Sequence, residues 1–119
     1  MTHTLTIPNW LPPRANEWCY RHWNFKRGLT DDAEKFVRIY AAEQNIPRAK
    51  GRRRVSLLLT LGKGRRQADR DAYDKILLDV LVRTGLLLDD GDKGMAGRME
   101  VEFERGTESA TQITLEDVS

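Results

Sequence analysis

The chain has 119 residues, of which 39% are hydrophobic and 32% are charged, and its formal net charge is +2. This length allows one domain with a single core, and the composition is that of a globular, soluble protein. No apolar run approaches the ~18 residues that a membrane-spanning helix needs. The N-terminus has no secretory-signal pattern, and the single Cys19 cannot form an internal disulfide. We therefore expect one cytoplasmic domain spanning residues 1–119.

The charges are unevenly distributed along the chain. Residues 1–75 contain 16 Lys/Arg and 8 Asp/Glu, whereas residues 76–119 contain 4 Lys/Arg and 10 Asp/Glu. The most basic stretch, residues 48–75, has 10 basic and 3 acidic residues. Such asymmetry is typical of a surface that faces a polyanion, although a run of charges can equally be a solvated face.

The first predicted element is a strand over residues 3–7, where polar and apolar side chains alternate. Prolines at positions 8, 12 and 13 then exclude regular structure, so residues 11–16 are predicted to form an extended loop. Residues 17–29 have no clear pattern. Three tryptophans lie in or near this region, at positions 10, 18 and 23. They could stack on nucleic-acid bases, but packing in the core or in a dimer interface is favoured.

The first predicted helix begins at Thr30-Asp31-Asp32, because acidic residues favour the positive end of the helix dipole. Its end is predicted at Ile46-Pro47. The apolar stripe of this helix consists of Ala33, Phe36, Val37, Tyr40 and Ala41.

A buried strand is predicted over residues 52–61, followed by a flexible basic loop over residues 62–66. A second helix runs from about Asp71 to Thr84, and Gly85 stands where a left-handed cap is required. Leu86-Leu87-Leu88 is predicted to be a short buried strand.

The C-terminal part is predicted to form an antiparallel hairpin after a glycine-rich loop over residues 91–97. Alternating residues mark its strands, with Met99, Val101 and Phe103 on one face of the first, and Thr111, Ile113 and Leu115 on one face of the second. The predicted fold is therefore one α+β domain with a mixed sheet and two main helices.

Two pairs of aspartates flank the second predicted helix. Asp69 and Asp71 precede it, and Asp89 and Asp90 follow it. The helix carries the chain ~21 Å away at 1.5 Å per residue, and five extended residues recover ~16 Å. We therefore expect Asp90, or Asp89, to return beside Asp71.

Clustered carboxylates usually need a cation, because like charges raise each other's pKa. Mg²⁺ takes oxygen ligands and commonly needs only a few carboxylates plus a substrate phosphate. Asp69, Asp71 and Asp90 would meet that demand. Lys75, one turn beyond Asp71, could stabilise the charge on an attacked phosphate or orient the attacking water.

Each of these features also has a structural explanation. Asp71 could cap the helix, or form an exposed ion pair with Lys75 that contributes under ~1 kcal/mol. The run from Asp89 to Asp92 could be an ordinary turn. Residues 52–54, three consecutive arginines, could contact phosphate or be a solvated face. Phosphate contact is favoured for the basic residues that flank the acidic pair, namely Lys63, Arg65, Arg66 and Arg70.

From Arg66 to Asp90 the chain resembles the RusA family of Holliday junction resolvases, small homodimeric endonucleases of bacteria and their phages. The resemblance rests on a basic segment followed by a D-x-D sequence, a lysine four residues after the second acid, an aliphatic helix that ends in a glycine turn, and an L-x-D-D sequence. The loop Leu11-Pro12-Pro13-Arg14-Ala15-Asn16 is similar to the P-P-S-x-N loop of that family. The likeness spans most of residues 4–104.

This resemblance implies that Asp69, Asp71 and Asp90 bind Mg²⁺, with Mn²⁺ as an alternative ion, and that Lys75 assists catalysis. It also implies a homodimer that cleaves branched DNA, the four-way Holliday junction, by hydrolysis in recombination and repair. Ala72 stands where the family has Asn, and Arg14 where it has Ser. The first difference leaves open an alternative: a junction-binding protein of the same family with impaired catalysis.

Overall fold

The computed structural model describes residues 1–14, 23–67 and 70–118, which form a four-stranded mixed sheet and two main helices. The elements in chain order are β1 (Thr2–Pro8), α1 (Trp23–Glu43), β2 (Arg53–Leu61), a 3₁₀ helix (Arg70–Tyr73), α2 (Asp74–Arg83), β3 (Glu100–Arg105) and β4 (Ala110–Asp117). The strand order is β1-β4-β2-β3, with β4 antiparallel to both neighbours and β3 parallel to β2. The predicted α+β class is confirmed.

The core lies between one face of the sheet and the two helices. In β2, Val55, Leu57 and Leu59 are buried while the residues between them are half-exposed, as expected when a single face is covered. The helices contribute Val37 from α1 and Leu77 from α2, both fully buried. The opposite face of the sheet remains partly open to solvent. Within the described residues, no helix is long and apolar enough to cross a membrane.

Helix α1 begins earlier than predicted. It includes Thr30, which is buried within the helix rather than placed at its start. Thr30, Ala33, Val37 and Ala41 form the buried stripe, with the spacing of one helical face. Phe36, predicted to belong to this stripe, is 40% exposed. The acidic residues 31 and 32, which suggested a helix start, lie within the helix, which begins at Trp23.

The predicted strand at Leu86–Leu88 is wrong. Leu86 and Leu87 are buried as expected, but residues 86–88 form no strand and pair with none of the sheet strands. The backbone N–H groups of Leu86 and Leu87 donate to the carbonyl of Leu81, at 2.9 and 3.2 Å, so the chain turns at the end of α2. Gly85 has φ of 80°, which confirms the predicted left-handed cap.

The predicted antiparallel hairpin is also wrong, because β2 lies between β3 and β4. Strands on either side of a third are ~9.6 Å apart, a distance that the four residues 106–109 span easily. This connection crosses the end of β2, where the Gly106 N–H donates to the Leu61 carbonyl at 3.1 Å. Alternation along each strand, with Val101, Thr111, Ile113 and Leu115 buried, is as predicted.

Candidate functional site

The structure describes Asp89 and Asp90 fully, but it describes the other two predicted acidic residues only in part or not at all. Asp69 lies outside the described residues, and of Asp71 only the backbone, within the 3₁₀ helix, is described. The expected meeting of Asp69, Asp71 and Asp90 therefore stays a prediction. Tyr73, rather than Asp71, occupies the N-cap position of α2.

An aromatic contact holds the 3₁₀ helix against the sheet. Tyr73 is 2% exposed, and its ring lies 6.0 Å from that of Phe103 in β3, tilted by 59°. Buried aromatic pairs of this geometry contribute about 0.5–1.5 kcal/mol beyond the area they bury. The contact positions the backbone on which Asp71 lies and the first turn of α2, where Lys75 is exposed to solvent.

Asp90 is exposed and lines an open cavity of about 970 Å³ between α2, the loop 91–99 and β3. Leu78 of α2 lines the same cavity. Lys75 is one helical turn before Leu78, three residues earlier, and the two positions are neighbours on the helix surface. Asp71 lies in the 3₁₀ helix that precedes α2. The chain thus returns after α2 to a cavity that Leu78 of α2 also lines.

Asp89 and Asp90 differ in what their carboxylates contact. Oδ2 of Asp89 accepts a hydrogen bond from the Gly91 N–H at 3.1 Å, which closes a local turn. The loop then folds tightly onto Asp89, and a Cβ at Gly94 would collide with the Asp89 backbone. Asp90 forms no ion pair within the described part of the chain. Asp89 therefore stabilises the turn, whereas the Asp90 carboxylate faces solvent.

Arg53 was not identified as a structural residue from the sequence, where it is one of three consecutive arginines. It is 1% exposed, and its guanidinium donates to Oδ1 of Asp117 at 2.7 Å and to the carbonyl of Leu86 at 3.0 Å. Its backbone bonds to Gly94 and Ala96 at 2.9 and 3.0 Å. Arg53 thereby fixes both ends of the segment that contains Asp89 and Asp90, and it cannot contact phosphate.

The Arg53 guanidinium, by donating a hydrogen bond to Asp117, lowers the pKa of this carboxyl below its ordinary 3.8. Partial desolvation opposes this change. His3, whose Nε2 lies 3.1 Å from Oδ2 of Asp117, acts in the same direction as Arg53. The pair is therefore ionised at neutral pH, which is how a buried guanidinium is compensated.

The basic loop, residues 62–66, leaves the end of β2. Lys63, Arg65 and Arg66 are all exposed. The loop was predicted to be flexible, but hydrogen bonds connect it to β3 and to the connection that follows β3. The Arg105 guanidinium donates to the Arg65 carbonyl, and the Gly62 N–H donates to Oγ of Ser109 at 3.0 Å. The side chain of Arg70, the fourth predicted DNA contact, lies outside the described part.

A second, smaller cavity of about 220 Å³ lies between α1, the basic loop and the proline-containing segment 11–14, called the proline loop below. Trp10, Phe36, Arg14 and Arg65 are among its lining residues. The structure thus brings the proline loop and the basic loop together at one cavity. No sequence signal linked them.

Among residues 1–14, 23–67 and 70–118, no group of three or more His, Cys, Asp or Glu side chains could hold a metal ion. Asp69 and the side chain of Asp71 were outside that set. No known protein-family model matches the chain, and no curated protein matches it significantly.

Proposed function

We propose that this protein is a Mg²⁺-dependent, structure-selective endodeoxyribonuclease that resolves four-way DNA junctions, as its RusA-like motif implies. The observation that carries the proposal is the return of Asp90 to α2. Asp90 lines a cavity with Leu78, one helical turn from Lys75, and the 3₁₀ helix that contains Asp71 directly precedes α2. This return supports the proposal, which requires Asp90 to meet Asp69 and Asp71 near Lys75.

The proposed metal ligands fit a hard cation. Asp69, Asp71 and Asp90 supply only carboxylate oxygens, the donors that Mg²⁺ prefers. The exposed Asp90 carboxylate, with no ion pair in the described structure, supports a role as ligand. Asp89 fits this role less well, because one of its carboxylate oxygens accepts the Gly91 N–H. When bound, Mg²⁺ would polarise a water and the scissile phosphate.

Lys75 would stabilise the negative charge that develops on the attacked phosphate. Lys75 lies in the first turn of α2, and its side chain is exposed to solvent. The basic loop would hold the DNA through backbone phosphates, using Lys63, Arg65 and Arg66, with Arg70 adjoining. These contacts carry no sequence information by themselves.

A homodimer suits this substrate. A four-way junction has approximate two-fold symmetry, and a C₂ dimer would place two active sites so that paired strands are cut symmetrically. We therefore include homodimerisation in the proposal. Sedimentation at micromolar concentration, with and without junction DNA, measures it directly.

The test is cleavage of a labelled four-way junction with and without Mg²⁺. The parent protein is expected to cut, whereas Asp71→Asn and Asp90→Asn should lose cleavage and keep junction binding, because each removes a charged ligand and no DNA contact. Asp89→Asn is the matched control: its amide oxygen can still accept the Gly91 N–H, so cutting should persist. Cleavage by Asp71→Asn at the parent rate would refute the site.

The alternative is a junction-binding protein of the same family with impaired catalysis. Ala72, which stands in place of the family Asn, is half-buried and packs against the core, so it offers no polar group to the site. If the parent protein shifts junctions without cutting them, this alternative holds. Gain of cleavage in Ala72→Asn would then identify the missing amide as the cause.

A further inference from the structure

The cavity lined by Trp10 and Phe36 has an aromatic side. The two rings lie 5.9 Å apart between centroids and are inclined by 36°, so they are not stacked face to face. Phe36 is 40% exposed, and Trp10 is half-exposed. Partly exposed aromatic rings at the wall of a cavity provide the π-surface on which a nucleic-acid base stacks.

The Trp10 backbone is held firmly. Asn9, with φ of 55°, turns the chain at the end of β1, and the buried hydroxyl of Thr111 donates to the Trp10 carbonyl at 2.6 Å. Phe36 projects from α1 beyond the buried stripe and lies outside the hydrophobic core. The aromatic wall thus stands on rigid elements, although the packing of the domain does not require Phe36.

Charge surrounds the aromatic wall. Arg14 of the proline loop and Arg65 of the basic loop line the cavity, and one carboxylate, Asp32 of α1, lines it as well. The Arg65 backbone is fixed by the Gly62 carbonyl at 3.1 Å and by the Arg105 guanidinium. Two cations beside an aromatic surface complement a base with its flanking phosphates, and a carboxylate can accept from N–H groups on a base edge.

The size of the cavity restricts its occupant. Pockets for drug-sized ligands enclose ~300–1,000 Å³, so 220 Å³ accommodates one flat ring system rather than a longer segment. Asp69 is four positions after Arg65, so their Cα atoms are at most about 14 Å apart. Because one strand of duplex advances ~3.4 Å per nucleotide, a base held here would lie within about four nucleotides of the scissile phosphate.

We propose that the Trp10–Phe36 cavity binds a single unstacked DNA base close to the cleavage point, and that Arg14 and Arg65 contact the phosphates flanking it. The inference rests on the proposed nuclease function and adds a base-recognition site to it. Extruding a base costs least where stacking is already interrupted, and the branch point of a junction is such a place. The cavity therefore contributes to the choice of cleavage position.

Binding of junctions that each lack one base tests the proposal. A series with a single abasic position, placed at successive nucleotides around the branch point, is titrated with the protein in EDTA so that no cutting occurs. One position should weaken binding about tenfold, because stacking on an aromatic side chain is lost there. A 2-aminopurine at that position should show fluorescence quenching when the protein binds.

Phe36→Leu removes one of the two aromatic rings and keeps an apolar side chain of similar size, so the tenfold difference between intact and abasic junctions should become clearly smaller. Ile39→Ala is the matched control: Ile39 is 54% exposed on the same helix and is not among the cavity-lining residues. This variant should retain the tenfold difference. Urea unfolding of both variants verifies that the fold is intact.

Other outcomes separate this proposal from the nuclease proposal. Parent cleavage that depends on Asp90, together with equal binding of every abasic junction, overturns the base site and leaves the nuclease. Base-dependent binding without cleavage overturns the nuclease and supports the base site. If no abasic position affects binding and Phe36→Leu changes the mass of the assembly in solution, the aromatic surface is a contact between protein chains and the proposal is overturned. No binding to any junction overturns both.

Discussion

The Arg53 side chain is a cation almost fully removed from water, and its partners explain how the fold tolerates it. Transfer of a guanidinium from water is unfavourable unless the charge is paired and its N–H groups find acceptors. Asp117 supplies the charge, and the Leu86 carbonyl supplies a further acceptor. Since Leu86 directly follows Gly85, this contact also determines where the chain leaves α2 toward Asp90.

Acid titration should weaken this ion pair. The pKa of Asp117 is lower in the folded protein than its ordinary 3.8, so protons bind more readily to the unfolded chain. Stability then rises with pH while the unfolded carboxyl ionises, and the contribution is complete above about pH 4. Below 3.8 it should decline and disappear as the pH passes through the lowered pKa. Urea unfolding from pH 7 to 2.5 measures this dependence.

Asp117→Asn provides the comparison for that titration. The amide oxygen can still accept from Arg53, but it carries no charge at any pH. The parent should be more stable than the variant near pH 7, and the difference should vanish in strong acid. A difference that is constant down to pH 2.5 would contradict an ionised carboxyl as its source.

At the scale of elements, β1 is an edge strand whose outward backbone groups are partly covered. The Gln44 side chain forms hydrogen bonds with both backbone polar groups of Thr6: it accepts from the N–H at 2.9 Å and donates to the carbonyl at 2.7 Å. Gln44 directly follows α1, where Asn45 takes a left-handed conformation with φ of 56°. Unpaired strand edges promote association between chains, and this amide covers part of one.

We expect Gln44→Ala to destabilise the fold by about 1–2 kcal/mol, because two solvent-accessible hydrogen bonds are lost at ~0.5–1.5 kcal/mol each. The variant should also self-associate more readily through the edge of β1. Urea unfolding and light scattering measure the two effects. Gln44→Glu is the control that keeps the acceptor and loses the donor, so its loss should be smaller. Equal stability of all three proteins would refute the role of this contact.

At the scale of the whole molecule, the uneven distribution of charge along the sequence places basic and acidic side chains on different parts of the surface. The exposed basic loop lies where β2 ends, whereas Glu100, Glu102 and Glu104 are exposed along the edge strand β3. Net charge is only +2, so binding of a polyanion depends on this local distribution rather than on overall attraction.

Salt dependence tests the basic loop within the proposed junction complex. Each phosphate contact contributes about 0.9 to the slope of log K against log salt. Lys63→Ala/Arg66→Ala should therefore lower the magnitude of the slope by about 2 and weaken binding to all sequences alike. Lys35→Ala, an exposed change on α1, is the control and should leave the slope unaltered. An unchanged slope in the double variant would exclude these two contacts.

The sequence by itself determined the features that depend on local periodicity and local sterics. The alternation in β2 and β4 identifies which residues are buried, because side chains point to opposite faces of a strand in turn. The apolar spacing predicts a helix from about Asp71 to Thr84, within which α2 lies, and Gly85 predicts its cap, since the left-handed conformation favours glycine.

Tertiary structure alone decided the arrangements that join distant segments. Alternation does not reveal which strand is adjacent, so the insertion of β2 between β3 and β4 was not predictable from either strand. The burial of Arg53, the middle of three arginines, depends on Asp117, 64 residues later. The approach of the proline loop to Arg65 likewise forms only after folding. Each of these contacts is long-range, and its energy depends on a partner that local sequence does not identify.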